Sequence, residues 1–317
     1  MKKGEFGLIE WIREQFRVPD GMLGIGDDCA VIPQCDGLET LVTTDMLVEG
    51  SHFLLEDIDP YSLGWKSAAV NLSDIAGMGG KPVGTFLSVA LPKSLEDSYL
   101  EGFFKGYKDL SDRFGCPLLG GDTTASPDRL CINVTVLGEC EAGRSRKRSA
   151  AQPGDLVCVT GPLGDSAAGL KLVLERVGRR ETTDSEDETI LIKRHYRPVP
   201  RIDEGLKLAA TPGVNAMMDI SDGIGSDLRH ILEESGVGAR VDVRSLPLSA
   251  ELRTVCARRG WDPVPLAAGG GEDYELLFTC RPGTTVPVPH TVIGEILSAP
   301  GLRWEGTDRD FTGFRHF

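Results

Sequence analysis

The sequence predicts an α/β fold of two domains, each built around a mixed sheet. The chain has 317 residues, more than one compact core usually organises. Strand-like and helix-like segments alternate along it instead of forming separate blocks. The composition changes at 143–154, a polar and basic stretch that closes on Pro-Gly. We therefore place a domain boundary there, between domains 1–148 and 149–317.

The helices are predicted from apolar residues at helical spacing. At the N-terminus, Ile9, Ile12 and Phe16 share one face of a short amphipathic helix. Further helices are predicted at 61–77, 95–114, 165–177 and 226–235, and the first of these carries Asp74 at its C-terminal end. Ser94 with Asp97 is the start signal for the helix at 95–114. Its predicted core stripe consists of Leu100, Phe103, Phe104, Tyr107, Leu110 and Phe114.

The strands are predicted from short apolar runs bounded by turn residues. These runs lie at 39–43, 83–91, 131–138, 155–160, 214–220, 274–279 and 291–296. Residues 178–190 are predicted to form an exposed acidic segment between helices. No internal repeat is present.

The composition excludes several classes of protein. Acidic residues (48) outnumber basic residues (34), giving a formal net charge of −14 that repels a phosphate backbone, so no nucleic-acid partner is expected. No stretch approaches the roughly 18 apolar residues of a membrane span, and no signal peptide is visible. The eight cysteines contain no C-x-x-C pair, which indicates reduced, buried thiols. We expect a cytoplasmic protein with no membrane partner.

Aspartates recur beside glycine or hydroxyl residues near the ends of predicted elements. A ligand can approach a carboxylate beside glycine closely, and a neighbouring hydroxyl adds a neutral oxygen. Such oxygens suit Mg²⁺, which usually joins protein carboxylates to substrate phosphates. If the side chains converge, their mutual repulsion indicates more than one ion. The candidate ligands are Asp28, Thr43, Thr44, Asp45, Asp74, Asp122, Asp219 and Asp222.

A structural role is the alternative for each of these aspartates. Asp beside Gly is an ordinary turn former, and Asp before a helix is an ordinary cap. The recurrence at strand ends favours a ligand site for the set, because ligands of α/β folds gather there. Neither a P-loop nor a G-x-G-x-x-G motif is present. Candidate phosphate cradles are the glycine-rich loops 77–82, 161–169 and 269–278, the second of which includes a predicted helix N-terminus that favours an anion.

Nine motifs, in order and with compatible spacing, resemble the thiamine-monophosphate kinase family. They are "GEFGLIEWI", "GIGDDCAVI", "TTDMLVEGSHF", "AVNLSDIAGMGGKP", "GGDTT", "VTGPLGDSAAGL", "IKRHYRPVPRI", "DISDGIGSDLRHI" and "GGEDYELLFT". The resemblance implies ATP-dependent phosphorylation of thiamine monophosphate to thiamine diphosphate. It also implies the two-domain fold of the aminoimidazole ribonucleotide synthetase (PurM-like) superfamily. There the N-terminal halves of two subunits pair, so a homodimer with a shared β-barrel is expected.

The same resemblance implies roles for individual residues. All eight candidate ligands named above match the family's metal ligands. Arg148 is preferred to Arg146 as an ATP contact because the family's arginine precedes the serine. The implied ATP contacts are Gly121, Asp122, Arg148 and Ser221. The implied substrate contacts are His52, Glu272 and Phe314. The residues expected to act in catalysis are Asp45, Asp122 and Arg148.

Phosphoryl transfer requires mainly positioning and charge neutralisation. An acceptor phosphate monoester is already a nucleophilic anion at neutral pH, because its second pKa is about 6. No general base is needed, and we expect direct in-line transfer without a phosphoenzyme. His195 and His230 are interpreted as packing residues. Two rival interpretations are another enzyme of the superfamily with a different acceptor, and a non-catalytic nucleotide or metal sensor.

Overall fold

The computed structural model describes residues 4–15, 18–34, 36–176 and 185–314. Phe16 of the predicted N-terminal helix face lies outside these ranges, as do residues 178–184 of the predicted acidic segment and Cys35. Within the described residues, no helix is long and apolar enough to cross a membrane.

The first half of the chain forms a five-stranded mixed sheet in the order β1-β2-β5-β3-β4. Neighbouring strands are antiparallel except for β3 and β4, which are parallel. The strands are β1 (Ala30–Pro33), β2 (Leu38–Val48), β3 (Lys81–Pro92), β4 (Leu118–Ser126) and β5 (Cys131–Glu141). The helices are α1 (Gly4–Gln15), α2 (Pro60–Gly77) and α3 (Asp97–Arg113).

The second half forms a six-stranded mixed sheet in the order β11-β8-β10-β6-β9-β7. Its only parallel pair is β11 with β8. The strands are β6 (Leu156–Val159), β7 (Val214–Asp219), β8 (Gly238–Asp242), β9 (Leu276–Cys280), β10 (Thr291–Leu297) and β11 (Gly301–Glu305). The helices are α4 (Asp165–Arg176), α5 (Glu186–Tyr196), α6 (Ile202–Ala210), α7 (Ile224–Ser235), α8 (Ala250–Arg259) and α9 (Pro263–Gly269).

Helix α2 connects the two halves and positions the site. It begins after Asp59, whose carboxylate accepts the N–H of Ser62 at 2.9 Å, and Pro60 occupies its first turn. Almost all of its side chains are buried, since it packs on the first sheet and α3 and also touches α5, α6 and β7. Trp65 Nε1 donates to the carbonyl of Pro198 at 2.7 Å. Because α2 is buried on all sides, it places Asp74 between the first half of the chain and the second.

The mixed sheets and the seven predicted strands are confirmed, and the predicted helices are all present. Strands β1, β4, β8 and β11 were not predicted, because β1 has only four residues and ends on Pro33, charged residues interrupt β8 and β11, and β4 is exposed and rich in glycine and threonine. Helices α5, α6, α8 and α9 were also missed, because α5 and α8 are rich in charged residues and α6 and α9 are short. The first sheet is open within the described residues, so the expected barrel is not closed by one chain. The boundary at residue 148 stays a prediction.

Two details of α3 differ from the prediction. The helix begins at Asp97, after Glu96, and no side chain caps it, so Ser94 is not its start signal. Tyr107 is buried as expected, but Phe104 is 41% exposed. The predicted stripe was wider than the face that the sheet and α2 cover.

Candidate active site

A cavity of about 800 Å³ lies where α2, β2 and the loops after β7 and α9 meet. One part of its lining is apolar, formed by Leu47, Phe53, Leu54, Val70, Leu170, Val173 and Leu174. The polar part contains Thr44, Asp45, His52, Asp74, Asp219, Ser221, Asp222 and Glu272, with Phe314 beside them. The structure thus brings nine of the predicted site residues to one cavity.

The carboxylates of this lining come from distant parts of the chain. Asp45 lies on β2, Asp74 in the last turn of α2, and Asp219 at the end of β7. The hydroxyl of Thr43 donates to Asp74. Just behind them, Asp28 Oδ2 accepts the N–H of Asp219 at 3.3 Å. The acidic side chains predicted from strand and helix ends therefore form one cluster.

Burial and mutual repulsion hold protons on this cluster. Burial, and then the charge of Asp28, raises the pKa of Asp45 to about 6 and that of Asp219 to about 8. Burial, followed by the charges of Asp45 and Asp219, raises the pKa of Asp74 well above its ordinary value. The cluster thus gathers carboxylates whose charges repel one another once their protons are lost.

Arg148 is a cation that lies against this cluster. Its Nε lies 3.0 Å from Asp28 Oδ1, and its backbone N–H donates to Asp27 Oδ1 at 2.6 Å. Asp28 is fully buried at the side chain, and it reaches this position because Gly77 ends α2: a Cβ at Gly77 would lie 2.2 Å from Asp28 Oδ2. Arg146 is held elsewhere, since its guanidinium donates to the carbonyls of Ala209 and Thr211.

The residues of this cluster fit divalent cations. Asp219 Oδ2 is buried and has no hydrogen-bond partner among the described residues, as expected of an oxygen reserved for an ion. No group of three His, Cys, Asp or Glu side chains that could hold a metal ion is found within the part of the chain that the structure describes. That arrangement is compatible with Mg²⁺, which keeps water and uses one or two carboxylates together with substrate phosphates.

Asp122 and Gly121 do not join the cluster, contrary to the expectation of a single pocket. They lie on edge strand β4, separated from β2 by β5 and β3, which is about 14 Å across the sheet. The strand register aligns Asp122 with Met46 of β2 and aligns Gly121 with Asp45. Residues aligned across a sheet share a face, and neighbours along a strand point to opposite faces, so the side chains of Asp122 and Asp45 project from opposite faces. The packing of β4 on β3 explains the glycine at position 121, because a Cβ there would lie 1.8 Å from the carbonyl oxygen of Leu87.

The DISDG loop after β7 is fixed by a buried carboxylate. Asp227, in the first turn of α7, accepts the N–H groups of Asp222 and Gly223 at 3.2 and 2.9 Å. The carbonyl of Asp222 in turn accepts the N–H of Phe314 at 3.0 Å. Phe314 is 49% exposed at the cavity. The C-terminal aromatic residue is thus tied to the acidic loop.

His52 and Glu272 supply the other predicted polar contacts of the cavity. His52 Nδ1 accepts the N–H of Val48 at 3.0 Å, so the neutral ring carries its proton on Nε2. Burial disfavours a charged Glu272, but the ammonium group of Lys66, at 2.8 Å, outweighs it and holds the pKa of Glu272 below its ordinary value, while the imidazole of His195 lies 3.3 Å away. The cavity therefore offers an N–H donor and a half-buried carboxylate acceptor.

The N-terminus of α4, which was predicted to favour an anion, is occupied by a carboxylate of the chain itself. Asp273 accepts the N–H groups of Gly164 and Ser166 at 2.6 and 3.1 Å, at the start of α4. These amide groups are therefore not a phosphate cradle. The sequence could not show this partner, because Asp273 lies more than a hundred positions away.

Four residues around the cavity were missed or given a packing role. Asp227 and Asp273 hold loops, and Lys66 and His195 hold Glu272. Lys66 has a signal in the sequence, because it is the one charge within the small and apolar run "WKSAAV". Asp227 and Asp273 have none, since their partners are backbone N–H groups.

Comparison with known proteins agrees with this architecture. The family model for the N-terminal domain of AIR synthase related protein matches residues 26–140, and that for the C-terminal domain matches 152–301. The chain thus belongs to the class of AIR synthase related proteins.

Within that class the chain belongs to the thiamine-monophosphate kinase family. The thiamine-monophosphate kinase of Escherichia coli K12 is 40% identical over all of this chain and 99% of its own length. The Aquifex aeolicus enzyme is 39% identical over 99% of this chain and 98% of its length. A solved structure described as AaThiL complexed with AMPPCP and TMP superposes with a TM-score of 0.92 at 38% identity, covering 100% of this chain and 98% of that one.

Proposed function

We propose that this chain is an ATP-dependent kinase that phosphorylates thiamine monophosphate to thiamine diphosphate. The observation that carries the proposal is the single cavity in which a carboxylate cluster meets His52 and Glu272. Full-length likeness to thiamine-monophosphate kinases supports the choice of substrate. A related structure described with AMPPCP and TMP supports binding of an ATP analogue and the substrate together.

The residues support direct in-line transfer without a phosphoenzyme. The acceptor phosphate is itself the nucleophile, because its second pKa is about 6, so no protein base is needed. His52 would donate its Nε2–H to the acceptor phosphate, and the apolar wall would exclude water. Mg²⁺ ions, when bound, would neutralise the charge of the two phosphate groups. The residues that would hold them are Asp28, Thr43, Thr44, Asp45, Asp74, Asp219 and Asp222.

The remaining assignments are also proposals. Ser221 lies in the cavity and Arg148 beside the cluster, which supports ATP contacts at both, whereas Arg146 is committed to backbone carbonyls. The apolar wall and Phe314 support binding of the aromatic rings of the substrate. Seven described cysteines are free thiols, which supports the cytoplasm as the compartment.

We also propose a homodimer formed through the first sheet. This sheet exposes apolar side chains that a single chain does not cover, and β4 leaves an open edge. The exposed residues are Met46, Phe86, Leu118 and Leu119. A dimer would close the barrel that one chain leaves open, and it would bury the strand that carries Gly121 and Asp122. Sedimentation equilibrium giving the mass of a monomer would contradict it.

Purified protein tests the proposed reaction. With ATP and Mg²⁺, ADP should form only when thiamine monophosphate is added, and thiamine diphosphate should accumulate in equal amount. Turnover with a purine-pathway acceptor and none with thiamine monophosphate would favour another enzyme of the superfamily. Calorimetric ATP binding without any turnover would favour a sensor.

His52→Ala should raise the KM for thiamine monophosphate about 10-fold and leave the KM for ATP within about 2-fold, because one hydrogen bond to a charged group is lost. Steady-state kinetics with each substrate varied in turn measures both values. His290→Ala is the matched control, since His290 is exposed and outside the cavity. A rise confined to ATP would contradict the assignment.

A further inference from the structure

Lys66 is a fully buried lysine in the middle of α2. Its side chain is 1% exposed, and such lysines persist in proteins only when their charge is paired. Its Nζ lies 2.8 Å from Glu272 Oε1. Helix α2 belongs to the first sheet's half and Glu272 to the second, so this ion pair crosses between the halves at the cavity.

His195 completes the surroundings of Glu272 without adding a charge. Its Nδ1 lies 3.3 Å from Glu272 Oε2 and 2.9 Å from the hydroxyl of Ser166. Burial, together with the charge of Lys66, lowers the pKa of His195 to about 3, so its ring is neutral. The ammonium group of Lys66 therefore balances the carboxylate of Glu272, while the neutral imidazole lies against its second oxygen.

The loop that carries Glu272 is held in an uncommon conformation. Glu272 and Tyr274 have φ angles of 62° and 50°, a region that non-glycine residues rarely adopt. Two backbone hydrogen bonds maintain it: Glu272 N–H donates to the carbonyl of Ser221 at 2.7 Å, and Tyr274 N–H to that of Ile220 at 2.9 Å. Backbone strain of this kind occurs where a side chain must point in one direction. The side chain of Glu272 is 27% exposed and faces the cavity.

We propose that Lys66 is a positioning residue for substrate recognition. It keeps Glu272 ionised and fixed, so that the carboxylate accepts a hydrogen bond from the amino group on the substrate's pyrimidine ring. This inference rests on the proposed function, and it adds a residue that touches no substrate itself. Glu272 with a proton, or turned toward solvent, would lose a charge-assisted hydrogen bond whose geometry selects the aminopyrimidine.

A double-mutant cycle tests this role. Lys66→Met keeps the volume and removes the charge, and Glu272→Gln removes the need for a counter-charge. We expect Lys66→Met to raise the KM for thiamine monophosphate about 10- to 100-fold, with the KM for ATP within about 2-fold. The KM for thiamine monophosphate of the double variant should equal that of Glu272→Gln within about 2-fold, because Lys66 acts only through Glu272.

Arg259→Met is the control for an ion pair lost from a carboxylate outside the cavity. Arg259 is itself exposed and lies 2.6 Å from the buried Glu188, so this variant should lower the thermal midpoint and leave both KM values unchanged. If Lys66→Met does not fold, the double variant still tests the role of Lys66: when it folds, its KM for thiamine monophosphate should equal that of Glu272→Gln within about 2-fold.

Three results would overturn the role of Lys66. They are a folded Lys66→Met with an unchanged KM for thiamine monophosphate, a cycle in which the two effects multiply, and a double variant that also fails to fold. An inactive wild-type chain would instead contradict the proposed function, and this inference with it.

Discussion

Asp45→Asn should lower kcat about 1,000-fold, the loss typical when one preorganised electrostatic group is removed from a transition state. Asp45 lies in the cavity beside Asp74 and Asp219, where the carboxylate would hold a metal ion against the transferring phosphate. An amide keeps the shape of the side chain but removes its charge. Rates of ADP formation at saturating ATP, Mg²⁺ and thiamine monophosphate measure the loss.

The fold should survive this change. The backbone N–H of Asp45 donates to Asn71 Oδ1 at 2.9 Å and its carbonyl accepts from Asn133 at 3.0 Å, and neither bond involves the replaced carboxylate. Without divalent ions at pH 8, the variant should melt above the wild type, because one repelling buried charge is gone. Asp128→Asn is the matched control, since Asp128 is 87% exposed. Near-normal kcat in Asp45→Asn would remove it from the active site.

Mg²⁺ should raise the melting temperature by about 5 °C or more at pH 8 and hardly at all at pH 5. At pH 8 Asp45 has lost its proton and Asp219 has lost it about half of the time, and an ion between them relieves the repulsion. At pH 5 protons already neutralise Asp45 and Asp219, whose pKa values are raised to about 6 and about 8. Thermal unfolding with Mg²⁺ or with a chelator at both pH values gives the comparison.

The sign of the metal-free pH dependence follows from proton binding. Unfolded aspartates titrate near about 3.9, so between about pH 4 and pH 8 the carboxylates of the cluster hold more protons in the folded chain than in the unfolded chain. The free energy of unfolding therefore falls as pH rises through this window. Asp45→Asn should reduce the slope between pH 4 and 6, where Asp45 titrates. A chelator-treated wild type whose stability rises over this range, or an equal Mg²⁺ effect at both pH values, would contradict the expectation.

The regular elements were predictable where local pattern and tertiary environment agree. Strand β5 alternates buried and half-buried residues along its length, and α2 is flanked by Asp59 and Pro60 at its start. Strand β4 was missed because "LLGGDTTAS" has no apolar alternation. Its place in the sheet is decided by hydrogen bonds to β3, a strand some thirty residues earlier, and no window of local sequence contains that information.

The sequence predicted which residues could belong to the site, but not how they are placed relative to one another. Asp45, Asp74 and Asp219 were identified from glycine and hydroxyl neighbours, and they do share a cavity. Asp122 carries the same local signature and lies on the other face of the sheet. The side-chain period of a strand sets which residues share a face, but only strand order and register decide which strands stand near each other.

The sequence by itself determined the α/β class, the family, and the residue types that can bind cations and phosphate. Only the tertiary structure decided which charged groups contact each other or a backbone N–H group. Arg148 pairs with Asp28, Lys66 pairs with Glu272, and Asp273 accepts N–H groups at the start of α4. The physical reason is that a buried charge is stable only beside its partner. These partners stand between about a hundred and two hundred positions apart along the chain, where only packing of the two halves against α2 brings them together.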